Sequence, residues 1–120
     1  MNHDLIRLQL REALVRAGGT HDLEKHLVPM LRSGQAQWWE KRDGAIITEV
    51  RDYPNFSAVN YWLVAGNMQD CLELQPEIDQ WARSQGATRA VAIGRRGWER
   101  ILPGHGWKII GTTFARDLRS

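Results

Sequence analysis

The chain has 120 residues, 42% of them hydrophobic, enough to bury a core without staples. Sixteen Lys and Arg against fourteen Asp and Glu leave a formal charge of +2, too mild to imply specific nucleic-acid binding. A single cysteine, Cys71, excludes an internal disulfide, and no apolar run reaches the roughly 20 residues of a membrane span.

Met1-Asn2-His3-Asp4 does not begin a signal peptide, so the expectation is a cytoplasmic protein. Residues 4–17 carry Leu5, Leu8, Leu10 and Leu14 among charges, a helical pattern ended by Gly18-Gly19. Thr20 is placed to cap a second helix running to about Arg32, with Leu23, Leu27, Met30 and Leu31 on one face. Pro29 would kink that helix or end it early, and Ser33-Gly34 stops it.

Three strand patterns follow. Gln35 to Arg42 alternates around Trp38-Trp39, and Asp43-Gly44 is the strongest hairpin signal in the chain. Ala45 to Asp52 returns antiparallel, with β-branched residues that favour a strand. Tyr53-Pro54-Asn55 makes the next turn, and a third strand runs from Ser57 to Ala65. In the second strand Ile46, Thr48 and Val50 share one face, Ile47, Glu49 and Arg51 the other. Glu49 in mid-strand reads either as a cross-strand partner for a neighbouring base or as a general base in a cleft.

After the Gly66-Asn67 turn, residues 68–85 read as an amphipathic helix buried through Leu74, Ile78, Trp81 and Ala82. Asn67 is a good N-cap, Pro76 predicts a kink or a broken first turn, and Gly86 closes the helix. Cys71 reads as a core or helix-face residue rather than a nucleophile. A further strand covers Thr88 to Ile93. Two strands joined through a helix run parallel, which places the Gly66-Asn67 turn at the carboxyl end of a buried strand. Free N–H groups and the helix dipole at that point attract phosphate.

Gly94-Arg95-Arg96-Gly97 leads into a short helix, Trp98 to Leu102, and Trp107 to Arg116 alternates as a last strand. The basic residues of the last third form either a solvated surface or a rim that meets a polyanion. The six tryptophans read as core or interface anchors.

This element order resembles the Gcn5-related N-acetyltransferase superfamily. Gly94 to Leu102, followed by Gly106-Trp107-Lys108, looks like that superfamily's last helix and its Gly-aromatic strand start. The Trp-rich first hairpin, Thr48-Glu49-Val50, Gly66 and Gly94-Arg95-Arg96-Gly97-Trp98 are similar to short acetyltransferase-like proteins of tailed bacteriophages. The resemblance implies an α+β fold with a mixed central sheet of five to six strands flanked by helices. One domain would span 1–120, with an N-terminal helix over 1–19 and the core over 20–120.

It also implies acetyl-CoA between the third strand and the strand Thr88–Ile93. The pantetheine would meet the backbone near Val64, the diphosphate Gly66, Asn67 and Met68, and Arg95 and Arg96 would reach the phosphates. No metal is implied. The chain departs from the family pattern at Leu63, where Gln or Arg belongs, and at Met68, where a small residue belongs. Leu102 stands where many members place a proton-donating Tyr, which leaves Glu49 as the base to be named. Two functions follow. One is acetyl transfer from acetyl-CoA to an amine. The other is a catalytically inactive protein on the same fold, docking a phage virion or host protein in the host cytoplasm or the virion.

Overall fold

The structure is a computed structural model that describes residues 3–94 and 96–119, and of Arg96 only the backbone. Strands β1 (Gln37–Lys41), β2 (Gly44–Asp52), β3 (Ser57–Gly66) and β4 (Arg89–Val91) form one sheet in the order β1-β2-β3-β4. The first three pair antiparallel. Helix α3 (Met68–Ser84) then crosses over, and β3 and β4 pair parallel.

The mixed sheet and its one parallel pair follow the sequence expectation. The strand count does not: the described residues contain four strands, not five or six. Residues 107–116 form no ladder, and Ile110 and Phe114 stand 81% and 89% exposed. The reason lies in their pattern. One face would carry Trp107, Ile109, Gly111 and Thr113, the other Lys108, Ile110, Thr112 and Phe114, so neither is clearly the core face and no register is enforced. β4 also ends earlier than predicted, at Val91, with Ile93 exposed.

Two apolar clusters sandwich the sheet. On one face, α1 (His3–Arg16) lays down Ile6, Leu10, Ala13 and Leu14 against Ile47, Leu63 and Ala65. These helix positions are spaced i, i+4, i+7 and i+8, one core-facing stripe, while Leu5 and Leu8 lie half out in solvent. On the other face, α3 buries Cys71, Leu74, Ile78 and Ala82 against Ile46, Val59 and Tyr61.

The predicted second helix is divided. Residues Leu23–Leu27 form a single π-turn, closed by Leu27 N–H to Asp22 O at 3.1 Å, and α2 (Val28–Ser33) follows. Asp22, not Thr20, holds the N-cap position, and Thr20 Oγ1 instead lies 2.7 Å from His21 Nδ1. Pro29 falls in the first turn of α2, where its missing N–H is one that a helix start leaves unbonded anyway.

Pro76 does not break the first turn: α3 runs through it from Met68 to Ser84. An interior proline costs about 3 kcal/mol of helix stability. The buried residues on both sides of it, Cys71 and Leu74 before and Ile78 and Ala82 after, hold the two halves on one sheet face and offset that cost.

The first hairpin forms, but its turn sits one residue early. Lys41 pairs with Gly44, so Arg42 and Asp43 are the central residues, and Arg42 takes the positive φ of 50°. Gly44 is strand. Its missing Cβ admits α3, since a carbon there would lie 2.9 Å from Asp70 Cβ and 3.0 Å from Cys71 N. The predicted helix Trp98–Leu102 is replaced by two 3-10 turns, Arg96–Arg100 and Leu102–His105.

Candidate functional site

β3 and β4 share only three residue pairs: Ala58 with Arg89, Val59 with Ala90, and Asn60 with Val91. Beyond Asn60 the strands diverge, and β3 runs on from Tyr61 to Gly66 with that edge outside any ladder. A bulge falls at the mouth of this divergence. Opposite β2, Ile47 pairs with Leu63 and Thr48 with Tyr61, which leaves Trp62 as the extra residue. The side chains record the shift: Tyr61 and Val64 face α3, whereas Trp62 and Leu63 both face the α1 side. A bulge re-aims side chains and frees backbone groups from the ladder. A strand edge beside a widening cleft suits a ligand with amide groups of its own.

At the far end of the cleft stands the start of α3. Asn67 caps it, its Oδ1 accepting from Asp70 N–H at 3.0 Å. Of the proposed diphosphate loop, the Asn67 N–H already donates to Asp43 O at 2.8 Å. The Met68 and Gln69 N–H groups are the two at this helix end with no acceptor among the described residues.

Gly66, with φ at 86°, is demanded by the hairpin: a Cβ there would fall 2.0 Å from Asp43 O. The Asp70 carboxylate, 11% exposed, accepts from Asp43 N–H at 3.2 Å and faces Arg42 Nη1 at 3.5 Å. A buried carboxylate within the first turn opposes a phosphate there, and Arg42 offsets part of that charge. Val64 and Met68 line the cleft. Arg95 and the Arg96 side chain lie outside the described residues.

The cleft is narrow. Tyr61, Val64 and Met68 on one side and Trp98, Leu102 and Trp107 on the other enclose about 30 Å³, roughly the space of one water. Trp107 Nε1 donates to Gln75 Oε1 at 3.2 Å, and its ring stands edge-on to Tyr61 at 5.3 Å. Tyr61 O–H donates to Asp79 Oδ1 at 2.6 Å. Burial, and then that hydrogen bond, push the Tyr61 hydroxyl far above its ordinary range, so it stays protonated. Burial likewise pushes the Cys71 thiol up to about 11, which fits a core residue rather than a nucleophile.

Glu49 lies on the opposite face from α3, 14% exposed, level with Asn60 where the divergence begins. Its Oε1 accepts from Asn60 Nδ2 at 3.0 Å and from Arg51 Nε at 2.9 Å. The hydrogen bond and charge of Glu49 hold the Arg51 guanidinium above its ordinary value. A carboxylate so paired serves first as a cross-strand clamp. On the same face His21 stacks edge-on to Trp62 at 4.7 Å.

Sequence reasoning passed over Trp62, Tyr61 and Asp43 as site residues. The available signal was the run Tyr61-Trp62-Leu63, where strict alternation breaks without a turn residue. Among the described residues no cluster of His, Cys, Asp or Glu is arranged to hold a metal, and no helix is long and apolar enough to cross a membrane.

No family model matches the chain, and no curated protein matches it. Solved structures do. A Trypanosoma brucei acetyltransferase superposes with a TM-score of 0.66 at 11% identity, covering 93% of this chain and 94% of that one. An aminoglycoside acetyltransferase from an uncultured soil metagenomic sample, solved with sisomicin, gives 0.64 at 12% identity over 93% of this chain and 88% of its own. A wild-type protein from Thermus thermophilus gives 0.62 at 19% identity over 100% of this chain and 95% of its own. At identity this low the superpositions establish the fold alone: the chain shares the α+β fold of these acetyltransferase structures.

Proposed function

We propose that the protein is an acetyltransferase that moves an acetyl group from acetyl-CoA to an amine. The observation that carries this reading is the bulged β3 edge, Tyr61 to Gly66, opening beside β4 and ending at the capped start of α3. The backbone near Val64 would hold the amide-bearing arm of the donor. The Met68 and Gln69 N–H groups would receive its diphosphate, with Gly66 and Asn67 shaping the turn and Arg95 and Arg96 supplying charge. These polar groups fit the donor, and the space fits once Trp98 and Trp107 move aside.

The amine nitrogen bonds to the thioester carbonyl carbon, the carbon–sulfur bond breaks, and free CoA thiol leaves with the acetyl amide as the second product. The proton lost by the nitrogen goes to Glu49 directly or through water. Leu102 has no proton to give, so the departing thiolate takes one from solvent. The protein contributes chiefly position and backbone donors at the bulge.

A second reading is favoured by the two tryptophans in the cleft and by Asp43 on the Asn67 N–H. Both would be native features of an inactive protein on this fold whose tryptophans dock a virion or host protein, as the resemblance to short phage proteins implies. Calorimetric titration with acetyl-CoA, followed by thiol release over a panel of amines, separates the two. One-to-one binding with thiol release supports the enzyme. Absence of both, also when the cleft tryptophans are replaced, leaves the docking protein.

A further inference from the structure

The chain after β4 holds two features that complement one another. Trp98 and Trp107 form one wall of the narrow cleft between β3 and β4, across about 30 Å³ from Val64 and Met68. The residues that follow, 108–116, are exposed and outside any ladder. Meanwhile β4 is an edge strand three residues long, and a cavity of about 520 Å³ separates Arg89–Ala92 from residues 107–111. A strand-patterned segment thus lies beside a free sheet edge without reaching it.

The seats of the two rings differ. Trp107 is half-buried, with a hydrogen bond to Gln75 and an edge-on contact with Tyr61. Trp98 lies over Gly94 so closely that a Cβ there would fall 2.5 Å from its Cε3. Both rings stand where the donor's arm would lie. A ligand that fills the cleft displaces both, and the freed segment gains the β4 edge as its partner.

We propose that Trp98 and Trp107 form a plug that closes the cleft in the resting protein. In this scheme a pantetheine-bearing thioester expels the plug and lets residues 107–116 pair with β4. The inference rests on the acetyl-CoA reading above and adds its regulation. Because the open form is the binding-competent one, apparent affinity is reduced by its fractional population, and variants that unseat the plug recover what the closed form withholds.

Two variants approach the plug from different sides. Trp107→Ala removes one ring. Gly94→Ala crowds the other, at a backbone φ outside the left-handed region. Each should bind acetyl-CoA about tenfold more tightly than the wild type in calorimetric titration. Amide exchange over residues 107–116 should slow in the wild type at saturating acetyl-CoA. Binding by the variants alone would support the plug as well. Measurable wild-type binding with no gain in either variant overturns the plug and leaves the acetyl-CoA reading standing. No binding by any of the three overturns both. A thermal melt of each variant checks folding, and if Trp107→Ala fails it, Gly94→Ala decides.

Discussion

Gly66 and Gly44 lie where the hairpin and the start of α3 approach each other, and their roles differ from what a glycine before a helix suggests. A methyl at Gly66 meets the Asp43 carbonyl and imposes an unfavourable positive φ, and a methyl at Gly44 meets the first turn of α3. Overpacking of this kind costs about 1–3 kcal/mol. Gly66→Ala and Gly44→Ala should therefore lower the denaturation midpoint, with or without acetyl-CoA. A loss of binding in Gly66→Ala then reports a damaged hairpin rather than a blocked phosphate.

Glu49 requires a different test. A general base contributes about 10²–10⁴-fold, so Glu49→Gln should reduce turnover by that range while acetyl-CoA affinity holds. Removing a clamp between β2 and β3 would instead lower the melting temperature and leave the turnover of folded protein unchanged. Measuring both on one sample tells base from clamp.

Among the elements, α3 illustrates how local and long-range terms divide. Its start was legible: Asn67 caps Asp70 N–H as its residue type implies. Asn67→Ala should cost about 1 kcal/mol in denaturant unfolding. Its middle was not legible, because the break that Pro76 favours is overridden by four buried side chains on one sheet face.

The hairpin repeats the lesson. Asp43-Gly44 announces a turn, yet Arg42 and Asp43 take it because Gly44 is the residue whose absent side chain lets α3 approach. The bulge at Trp62 left only a trace in the run Tyr61-Trp62-Leu63, since the pairing of two residues against one is fixed only when β2 is beside β3. In the last segment the alternation was real, but with no face clearly apolar it did not commit the chain to the sheet.

Over the whole molecule, two buried groups couple stability to alkaline pH. Cys71 ionises near 9 in the unfolded chain and at about 11 when folded, so the folded state keeps the proton longer. Its contribution is complete below pH 9 and is lost as pH rises through 11, on the order of 2 kcal/mol. Tyr61, also raised, acts in the same direction from about pH 10 upward. Stability from urea titrations should therefore fall between pH 9 and 11. Cys71→Ala should flatten the lower part of that fall, because it removes the first of the two groups. An unchanged slope in that variant would assign the whole effect to Tyr61.

Hydrophobic period, caps and turn residues are properties of neighbours along the chain. By themselves they determined the order of the strands and the crossover helix up to β4, the parallel pair across α3, the two faces of β2 and the cap at Asn67. Whether a cleft is open, and who holds a given N–H, depends on atoms brought together from distant residues. Only the tertiary structure could decide that Asp43 takes the Asn67 N–H, that Asn60 and Arg51 share the Glu49 carboxylate, and that Trp98 and Trp107 fill the space between β3 and β4. Each of those contacts outweighs a local preference because burial and hydrogen bonding act through space, and a residue's type carries no record of what will lie against it.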